Sequence, residues 1–257
     1  MSQPPIGVLG AMDEEVRRLR EALLPTRVET TGGRDYLFGS IAGREVVLAF
    51  SRWGKVAAAS TATTMIERFG VERILFTGVA GAVDPALGIG DVVVARSLVH
   101  HDLDARPFLR RFEVPLLDIV EIPVDERLAR AAADAAAEVL DADLDALVPP
   151  ADRRRFSMER PTVRRGLVAS GDRFIADAGE VERLRTDLPG LLAVEMEGAA
   201  VAQVCHEHGV GCAVLRTISD RADHSAPVDF RAFVADVASR FSERLVQRTL
   251  ERLEPSG

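Results

Sequence analysis

The stretch "RILFTGVAGAV", residues 73–83, joins a short apolar run to a glycine-rich loop. The apolar run predicts a buried β-strand, and "GDVVVARSLVHHD", residues 90–102, predicts another. Further strands are predicted at residues 6–11, 45–51, 163–172 and 211–220. Longer amphipathic stretches lie between them, and such alternation of strands and helices is typical of α/β proteins. We therefore predict an α/β fold with a central, mixed, twisted β-sheet flanked by helices.

Three of the intervening stretches have a clear helical character. Residues 13–24 carry apolar side chains at helical spacing. Residues 55–70 form an alanine-rich stretch that a glycine closes, as is common at helix C-termini. Residues 227–253 predict one long amphipathic helix.

The composition favours one large domain. The chain has 257 residues, of which 47% are hydrophobic, enough to bury a sizeable core. Because no linker or repeat divides it, we expect a single domain over residues 1–257. With a formal net charge of −8, the surface repels phosphate backbones, so no nucleic acid partner is expected. The arginine-rich segment 152–165 is predicted to be an exposed connector.

Several sequence signals bear on compartment and cofactors. Cys205 and Cys212 are too few for a disulfide framework or a zinc site. The first residues lack the basic region of a signal peptide, and no run of about 18 uninterrupted apolar residues occurs. We therefore expect a cytoplasmic protein that binds no membrane and needs no cofactor. A metal site at residues 100–104 is the less favoured alternative, since the remaining histidines lie in other settings.

Polar residues gather where the predicted strands end. In open α/β sheets, ligands bind at the carboxyl ends of the strands. The segments that follow the predicted strands are residues 12–15, 77–81, 101–104, 170–175 and 216–220. Because they converge on one edge of the sheet, we predict a small-molecule site there.

Two glutamates interrupt the apolar stretch "AVEMEGAAVAQVC", residues 193–205. Removing a carboxylate from water is costly without a partner, so Glu195 and Glu197 require one. We expect both at the exposed N-terminal edge of a helix, where unpaired N–H groups favour negative charge. In "RTISDRAD", residues 216–223, polar residues directly follow a strand in a way that an ordinary exit turn does not. Acidic residues 13–15 fit a helix N-terminus equally well, which leaves their role open.

Six motifs together resemble those of one enzyme family. In order and spacing, "IGVLGAMDEEV", "TGVAGAVDPALGIGDVVVA", "HHDLDARPF", "ASGDRFI", "AVEMEGAAVAQVC" and "VLRTISDRAD" are similar to motifs of the 5′-methylthioadenosine/S-adenosylhomocysteine nucleosidases. That family belongs to the purine-nucleoside phosphorylase and uridine phosphorylase superfamily, so the resemblance implies a three-layer αβα fold. It also implies a homodimer in which one subunit lends part of the other's 5′ pocket.

The resemblance implies a reaction and its substrates. The enzyme would hydrolyse the N-glycosidic bond of 5′-methylthioadenosine or S-adenosylhomocysteine, with 5′-deoxyadenosine as a further candidate. The products would be adenine and the 5′-substituted ribose. No cofactor is implied.

The matching residues take the roles of the family. Asp220 would protonate adenine N7, and Glu15 would orient and deprotonate the attacking water. Because Asp220 must be protonated when adenine leaves, we expect burial to raise its pKa. Glu197 would bind the ribose 2′- and 3′-hydroxyls, and Arg216 would pair with Glu195 near the water. The other substrate contacts implied are Met196 on the sugar face, Phe174 stacked on adenine, the Ile175 backbone at its edge, and Ser219, Met12, Trp53, Val79, Phe230 and Phe108 elsewhere around the substrate.

The sequence departs from the family at four places. Val79 stands where the family has a small hydroxyl residue, so a side-chain hydrogen bond to the water site is missing. Trp53 replaces a smaller aliphatic residue near the sugar and would reshape the 5′ pocket. Arg110 stands where an aromatic residue is common at the 5′ mouth, which favours a carboxylate-bearing substituent. Residues 141–162 form a variable insertion longer than the resemblance predicts.

Three alternatives remain. The first is a phosphate-dependent purine nucleoside phosphorylase, which Glu15 disfavours because a carboxylate repels phosphate and which Arg216 keeps open. The second is a hydrolase of other 6-amino nucleosides, such as those of the aminodeoxyfutalosine type. The third is a catalytically inactive nucleoside-binding protein on the same scaffold.

Overall fold

The computed structural model describes residues 4–158, 160–223 and 226–253. Its strands are β1 Ile6–Gly10, β2 Leu24–Thr31, β3 Arg34–Ile41, β4 Arg44–Phe50, β5 Arg73–Phe76, β6 Val79–Ala82, β7 Val92–His100, β8 Ile122–Pro123, β9 Val163–Ser170, β10 Leu191–Glu195 and β11 Gly211–Asp220. Its helices are α1 Asp13–Ala22, α2 Lys55–Phe69, α3 Glu126–Glu138, α4 Leu144–Leu147, α5 Pro150–Arg155, α6 Ala178–Asp187, α7 Gly198–Glu207, α8 Ala226–Phe233 and α9 Ser239–Arg252. π-Helical segments span Val139–Asp143 and Val234–Ala238.

The strands form one mixed sheet in the order β2-β3-β4-β1-β5-β11-β6-β10-β9-β7-β8. Around its centre, β1 pairs in parallel with β4 and β5, and β5 pairs in parallel with β11. Strand β11 also pairs with β7 in antiparallel fashion. Because of that pairing, β11, β6, β10, β9 and β7 close into a ring, so one half of the sheet curls into a small barrel. The prediction of an α/β fold with a mixed sheet is confirmed, and the ring adds a feature that the sequence pattern did not indicate.

Helices cover both faces of the sheet. On one face, α1, α3 and α9 bury apolar side chains such as Leu19, Leu128 and Leu245. On the other face, α2 and α7 do the same, with Met65 and Val201 in the interior. The sheet therefore lies between two helical layers, as the resemblance implies.

The segment at residues 141–162, which is predicted to be an insertion, is built into the core. It contains the end of the first π-helical segment, α4 and α5, and its Phe156 and Met158 are buried against the helical layer. Asp143 accepts a hydrogen bond from Arg244 Nε of α9 at 2.7 Å. The prediction of an exposed connector at 152–165 is therefore wrong in part, because its apolar side chains anchor the segment beneath its arginines.

Within the described ranges, no helix is long and apolar enough to cross a bilayer. Nor do three or more His, Cys, Asp or Glu side chains of those ranges come together as metal ligands would. Cys205 and Cys212 are both buried, free thiols.

Candidate active site

A pocket of about 570 Å³ opens at the predicted edge of the sheet. Eleven of the residues that the sequence singles out line it: Met12, Glu15, Trp53, Val79, Phe174, Ile175, Met196, Glu197, Ser219, Asp220 and Phe230. Most of them follow strands β1, β4, β9 and β10 or end β11, whereas Val79 begins β6 and Phe230 lies in α8. The convergence expected from the strand order is therefore observed.

Glu15 lies in the first turn of α1 with only 2% of its surface exposed. Its carboxylate accepts hydrogen bonds from the backbone N–H groups of Ala11 at 2.7 Å, Met12 at 3.0 Å and Val79 at 3.0 Å. Burial raises the pKa of Glu15, while the charge of Arg216 and the three N–H donors oppose the rise. A carboxylate has about four acceptor sites, so one remains for a molecule in the pocket. A buried carboxylate of raised pKa suits a general base.

Glu195 lines the pocket and forms a buried ion pair with Arg216. Arg216 is 1% exposed, and its Nη2 and Nε donate to Glu195 Oε2 at 2.7 and 3.2 Å. Its Nη1 donates to the carbonyls of Phe76 and Leu215 at 3.1 and 2.9 Å. The pairing expected from the resemblance is observed, and it places the guanidinium behind the lining of the pocket.

Glu195 also accepts hydrogen bonds from backbone N–H groups at the beginning of α7. Its carboxylate accepts hydrogen bonds from the N–H groups of Glu197 at 3.2 Å and Gly198 at 2.8 Å. The Ser170 hydroxyl donates to the same carboxylate. Helix N–H groups thus favour this negative charge, as predicted. The expected exposure is wrong, since Glu195 and Glu197 are only 7% and 6% exposed and loops cover this end of the helix.

Glu197 lies directly on the pocket. Its Oε1 accepts a hydrogen bond of 2.8 Å from the backbone N–H of Gly54, at the beginning of α2. Burial and the nearby charge of Glu195 raise its pKa to about 8, against the Gly54 hydrogen bond and the charge of Arg216. An acid with this pKa can bind ribose hydroxyls as either acceptor or donor.

Asp220 is the last residue of β11 and lines the pocket, with 2% of its surface exposed. Its Oδ2 accepts a hydrogen bond from the Ser219 hydroxyl at 2.8 Å, and its Oδ1 accepts one from the N–H of Ala222 at 2.8 Å. These contacts fix the orientation of the carboxyl group. Besides Glu195, which is paired with Arg216, the pocket is lined by three buried acids, Glu15, Glu197 and Asp220, on three different elements.

Aromatic side chains form one wall. The ring centroids of Phe174 and Phe230 lie 5.4 Å apart, and those of Trp53 and Phe230 lie 6.5 Å apart, both pairs nearly edge to face. Trp53 and Phe174 keep 61% and 44% of their surfaces exposed. Large exposed aromatic faces beside buried acids suit a planar ligand that carries hydroxyl groups.

Two further predicted residues lie away from the pocket of their own chain. Phe108 is 90% exposed on the loop between β7 and β8. Arg110, on the same loop, donates through Nε to Glu113 at 2.6 Å. Its charge is therefore paired, and within one chain it does not serve the 5′ mouth.

Sequence reasoning missed the backbone donors of the site. The N–H groups of Gly54 and Val79 bind Glu197 and Glu15, although neither residue has a polar side chain. Of these two donors, only Gly54 could be noticed in the sequence, as a glycine in a predicted loop. Its φ of 91° lies in the region that favours glycine. Arg173 also lines the pocket, and its guanidinium pairs with Glu180 at 2.6 Å.

The geometry agrees with comparisons with known proteins. The family model described as the phosphorylase superfamily matches residues 5–251. The chain belongs to the phosphorylase superfamily. A superfamily member named 5′-methylthioadenosine/S-adenosylhomocysteine nucleosidase, from Anoxybacillus flavithermus, is 37% identical over 249 residues, covering 96% of this chain and 98% of the relative. This chain is thus also a member of that nucleosidase family, whose enzymes are N-glycosyl hydrolases.

Solved structures of the superfamily show the same fold. The nucleosidase of that name from Neisseria meningitidis, in complex with methylthio-immucillin-A, has a TM-score of 0.84 at 32% identity and covers 97% of this chain and 100% of its own. The futalosine hydrolase of Helicobacter pylori has a TM-score of 0.82 at 34% identity, covering 97% and 98%. Both structures support the three-layer fold of this chain and the interpretation of its pocket as a nucleoside site.

Proposed function

We propose that this chain hydrolyses the N-glycosidic bond of 5′-methylthioadenosine or S-adenosylhomocysteine, releasing adenine and the 5′-substituted ribose. The observation that carries the proposal is the placement of Glu15, Glu197 and Asp220 around one pocket of about 570 Å³. Cleavage of a glycosidic bond needs an acid on the leaving group and a base on the nucleophile, and the third carboxyl group can hold the sugar.

The charges favour water over phosphate as the nucleophile. Glu15 faces the pocket, and Arg216 is neutralised by Glu195 at 2.7 Å. Arg173, the one cation of the described pocket lining, is paired with Glu180. A phosphate dianion would therefore meet a buried carboxylate without an uncommitted cation beside it.

The residues divide the chemistry as follows. Asp220 gives its proton to adenine N7 while the N9–C1′ bond breaks and its electron pair passes to the base. Glu15 takes a proton from water as the water oxygen bonds to C1′. Asp220 ends as a carboxylate and Glu15 as an acid, so one proton returns to Asp220 through solvent before the next cycle. Each positioned proton transfer is typically worth about 10²–10⁴-fold in rate.

The remaining contacts follow from this orientation. Glu197 holds the ribose 2′- and 3′-hydroxyls, Met196 contacts the sugar face, and Phe174 stacks on adenine beside the Ile175 backbone. The 5′ carbon of the ribose then faces lining residues that contact neither adenine, nor the ribose 2′- and 3′-hydroxyls, nor the attacking water.

We further propose a cytoplasmic homodimer in which Phe108 of one subunit lies at the 5′ side of the other's pocket. The support is exposed apolar surface: Phe108 is 90% exposed, and Leu116 on the same loop is fully exposed. The loop is joined to the beginning of α2 by the Lys55–Asp102 ion pair of 2.5 Å, next to Val56, which is 82% exposed. Buried free thiols fit a reducing compartment. A methionine-derived 5′ group would place the reaction in methionine salvage.

A second candidate is hydrolysis of an aminodeoxyfutalosine-type nucleoside. It is favoured by the likeness to the futalosine hydrolase of Helicobacter pylori at 34% identity. The acid, base and sugar roles would be unchanged, because only the 5′ substituent differs.

Adenine release from a panel of 5′-substituted adenosines, with and without phosphate, tests the proposal. We expect release without phosphate and no stimulation by it. Replacing Asp220 by Asn should lower kcat by about 10²–10⁴-fold, because the proton donor is lost. Replacing the remote, exposed Glu21 by Gln is the matched control. Strict phosphate dependence would identify a phosphorylase, and full activity of Asp220→Asn would remove the assigned acid.

A further inference from the structure

A second cavity, open to solvent and of about 1040 Å³, continues from the pocket. Met12, Trp53 and Phe230 line both cavities, so they form the border between them. The floor of the second cavity is apolar, with Phe50 and Val234 among its residues. We call this cavity the outer groove.

The outer groove lies where the 5′ substituent leaves the ribose. This step rests on the proposed function, in which the base lies at Asp220, the hydroxyls at Glu197 and the water at Glu15. Met12, Trp53 and Phe230 are lining residues that these three assignments leave unused. A short substituent such as methylthio would end at this border, and a longer one would pass into the groove.

The charged residues of the groove differ in whether they already form an ion pair within the chain. Its basic members are Arg52 and Arg231, both exposed, and in the described part of the chain no carboxylate forms an ion pair with either guanidinium. Arg52 donates to the carbonyl of Gly33, and this neutral acceptor does not cancel its charge. Of the acidic members, Asp13 is paired with Arg20 at 2.5 Å, and Glu14 is exposed at the beginning of α1.

We propose that Arg52 and Arg231 of the outer groove select extended 5′ substituents that end in a carboxylate over uncharged ones. Arg52 and Arg231 supply the charge complement, and the ring of Trp53 covers the apolar linker between ribose and carboxylate. Its 61% exposure leaves a broad ring face for that contact. The groove therefore discriminates among 5′-substituted adenosines by charge at the far end, and Arg110 is not needed for it.

The test compares substrates of equal length that differ in charge. The panel is 5′-methylthioadenosine, 5′-butylthioadenosine, 5′-(3-carboxypropylthio)adenosine and S-adenosylhomocysteine. We expect kcat/KM for the carboxypropyl compound to exceed that for the butyl compound by about 3–10-fold, since exposed ion pairs are individually weak. The ratio should shrink as ionic strength rises from about 0.01 M to about 0.15 M, because salt screens exposed charges.

Variants assign the effect to the two arginines. In the double variant Arg52→Gln/Arg231→Gln the ratio should fall to about one, and Arg52→Lys/Arg231→Lys should keep a ratio above one. Arg17→Gln, the matched loss of an exposed positive charge on α1, should leave the ratio as in the wild type.

Equal kcat/KM for the butyl and carboxypropyl compounds in the wild type would overturn the proposal, and so would an unchanged ratio in the double Gln variant. A preference confined to S-adenosylhomocysteine would also overturn it, since the ammonium group would then carry the selectivity. Failure of the proposed function is seen separately, as absence of adenine release from 5′-methylthioadenosine by the wild type.

Discussion

At the scale of single residues, Glu197 links function to stability. Its pKa is raised to about 8 by burial and by Glu195, whereas an unfolded glutamate titrates near about 4.3. Between these two pH values the native state holds a proton that the unfolded state has released. The free energy of unfolding therefore falls as pH rises through this window, and the loss is complete above about pH 8.

Replacing Glu197 by Gln should remove this dependence. The amide cannot ionise and its oxygen can still accept from Gly54, so the variant should be more stable than the wild type at pH 8 by about 2–4 kcal/mol. At pH 5 the two proteins should be nearly equal. Urea unfolding at pH 5, 6.5 and 8 measures the difference, with Glu21→Gln as an exposed control. An identical pH slope in Glu197→Gln would show that Glu197 is not the responsible group.

The sequence could place the acids of the site but not their environment. Asp220, Glu15 and Glu197 follow strand ends, which is visible in the order of apolar and polar residues. Their burial depends on loops that come from distant parts of the chain, as the Gly54 contact with Glu197 shows. The neutralisation of Arg216 could be anticipated only because Glu195 lies in a segment that resembles a known motif.

At the scale of elements, α2 receives its cap from another part of the chain. The N-cap residue Gly54 has no side chain, and the first turn of α2 contains no acidic residue. Instead Asp172, after β9, accepts a hydrogen bond of 2.8 Å from the N–H of Lys55. Asp102 completes the link by pairing with Lys55 Nζ at 2.5 Å and accepting from the N–H of Asp172 at 2.9 Å. This ring of contacts holds the Gly54 donor beside Glu197.

Replacing Asp172 by Ala should therefore loosen the proposed ribose site at Glu197 as well as the helix. Loss of the cap should reduce the free energy of unfolding by about 1 kcal/mol. KM should rise several-fold while kcat changes little, because the displaced donor acts on the sugar anchor. Asp125→Ala removes the cap of α3, where Asp125 accepts from Arg127 and Leu128, and should cost similar stability with KM unchanged. Equal KM in the two variants would show that the Asp172 contact is purely structural.

Two differences between the predicted and the observed elements have separate physical causes. Strand β2 reads "LPTRVETT" and its described residues are mostly exposed, so neither an apolar run nor a regular alternation marks it. The predicted single helix at 227–253 is interrupted by the π-helical segment Val234–Ala238, because apolar spacing does not distinguish a π turn from an α turn. Strands and helices with a buried apolar face, such as β7 and α1, were predicted within a few residues.

At the scale of the whole molecule, the proposed homodimer with a shared 5′ pocket can be tested by complementation. Phe108→Ala should raise KM for 5′-methylthioadenosine, because each pocket loses an aromatic side chain lent by its neighbour. Asp220→Asn should be nearly inactive. In a mixed dimer, the pocket with an intact Asp220 faces the intact Phe108 of the other subunit, so part of the activity should recover the wild-type KM. Steady-state kinetics of the co-expressed variants measures this.

The test compares the KM of the co-expressed variants with the KM of each variant alone. Molecular mass in solution should show a dimer for the wild type and for Asp220→Asn. A mixture whose KM equals that of Phe108→Ala alone, or a monomer with the wild-type KM, would contradict the lent side chain. Leu116→Ala, on the same exposed loop, distinguishes a weakened dimer from a missing pocket contact.

The closed ring of β11, β6, β10, β9 and β7 separates the residues proposed to break the glycosidic bond from the residues proposed to select the 5′ substituent. Asp220 and Glu195 are terminal residues of ring strands, whereas Arg52, Trp53 and Arg231 lie on a loop and a helix outside the ring. A strand of a closed ring has neighbours on both sides, so altering it disturbs the whole ring. Substitutions in the loop and in the helix do not disturb the ring. During evolution they can therefore change which nucleosides the protein accepts, while the residues that break the bond are kept.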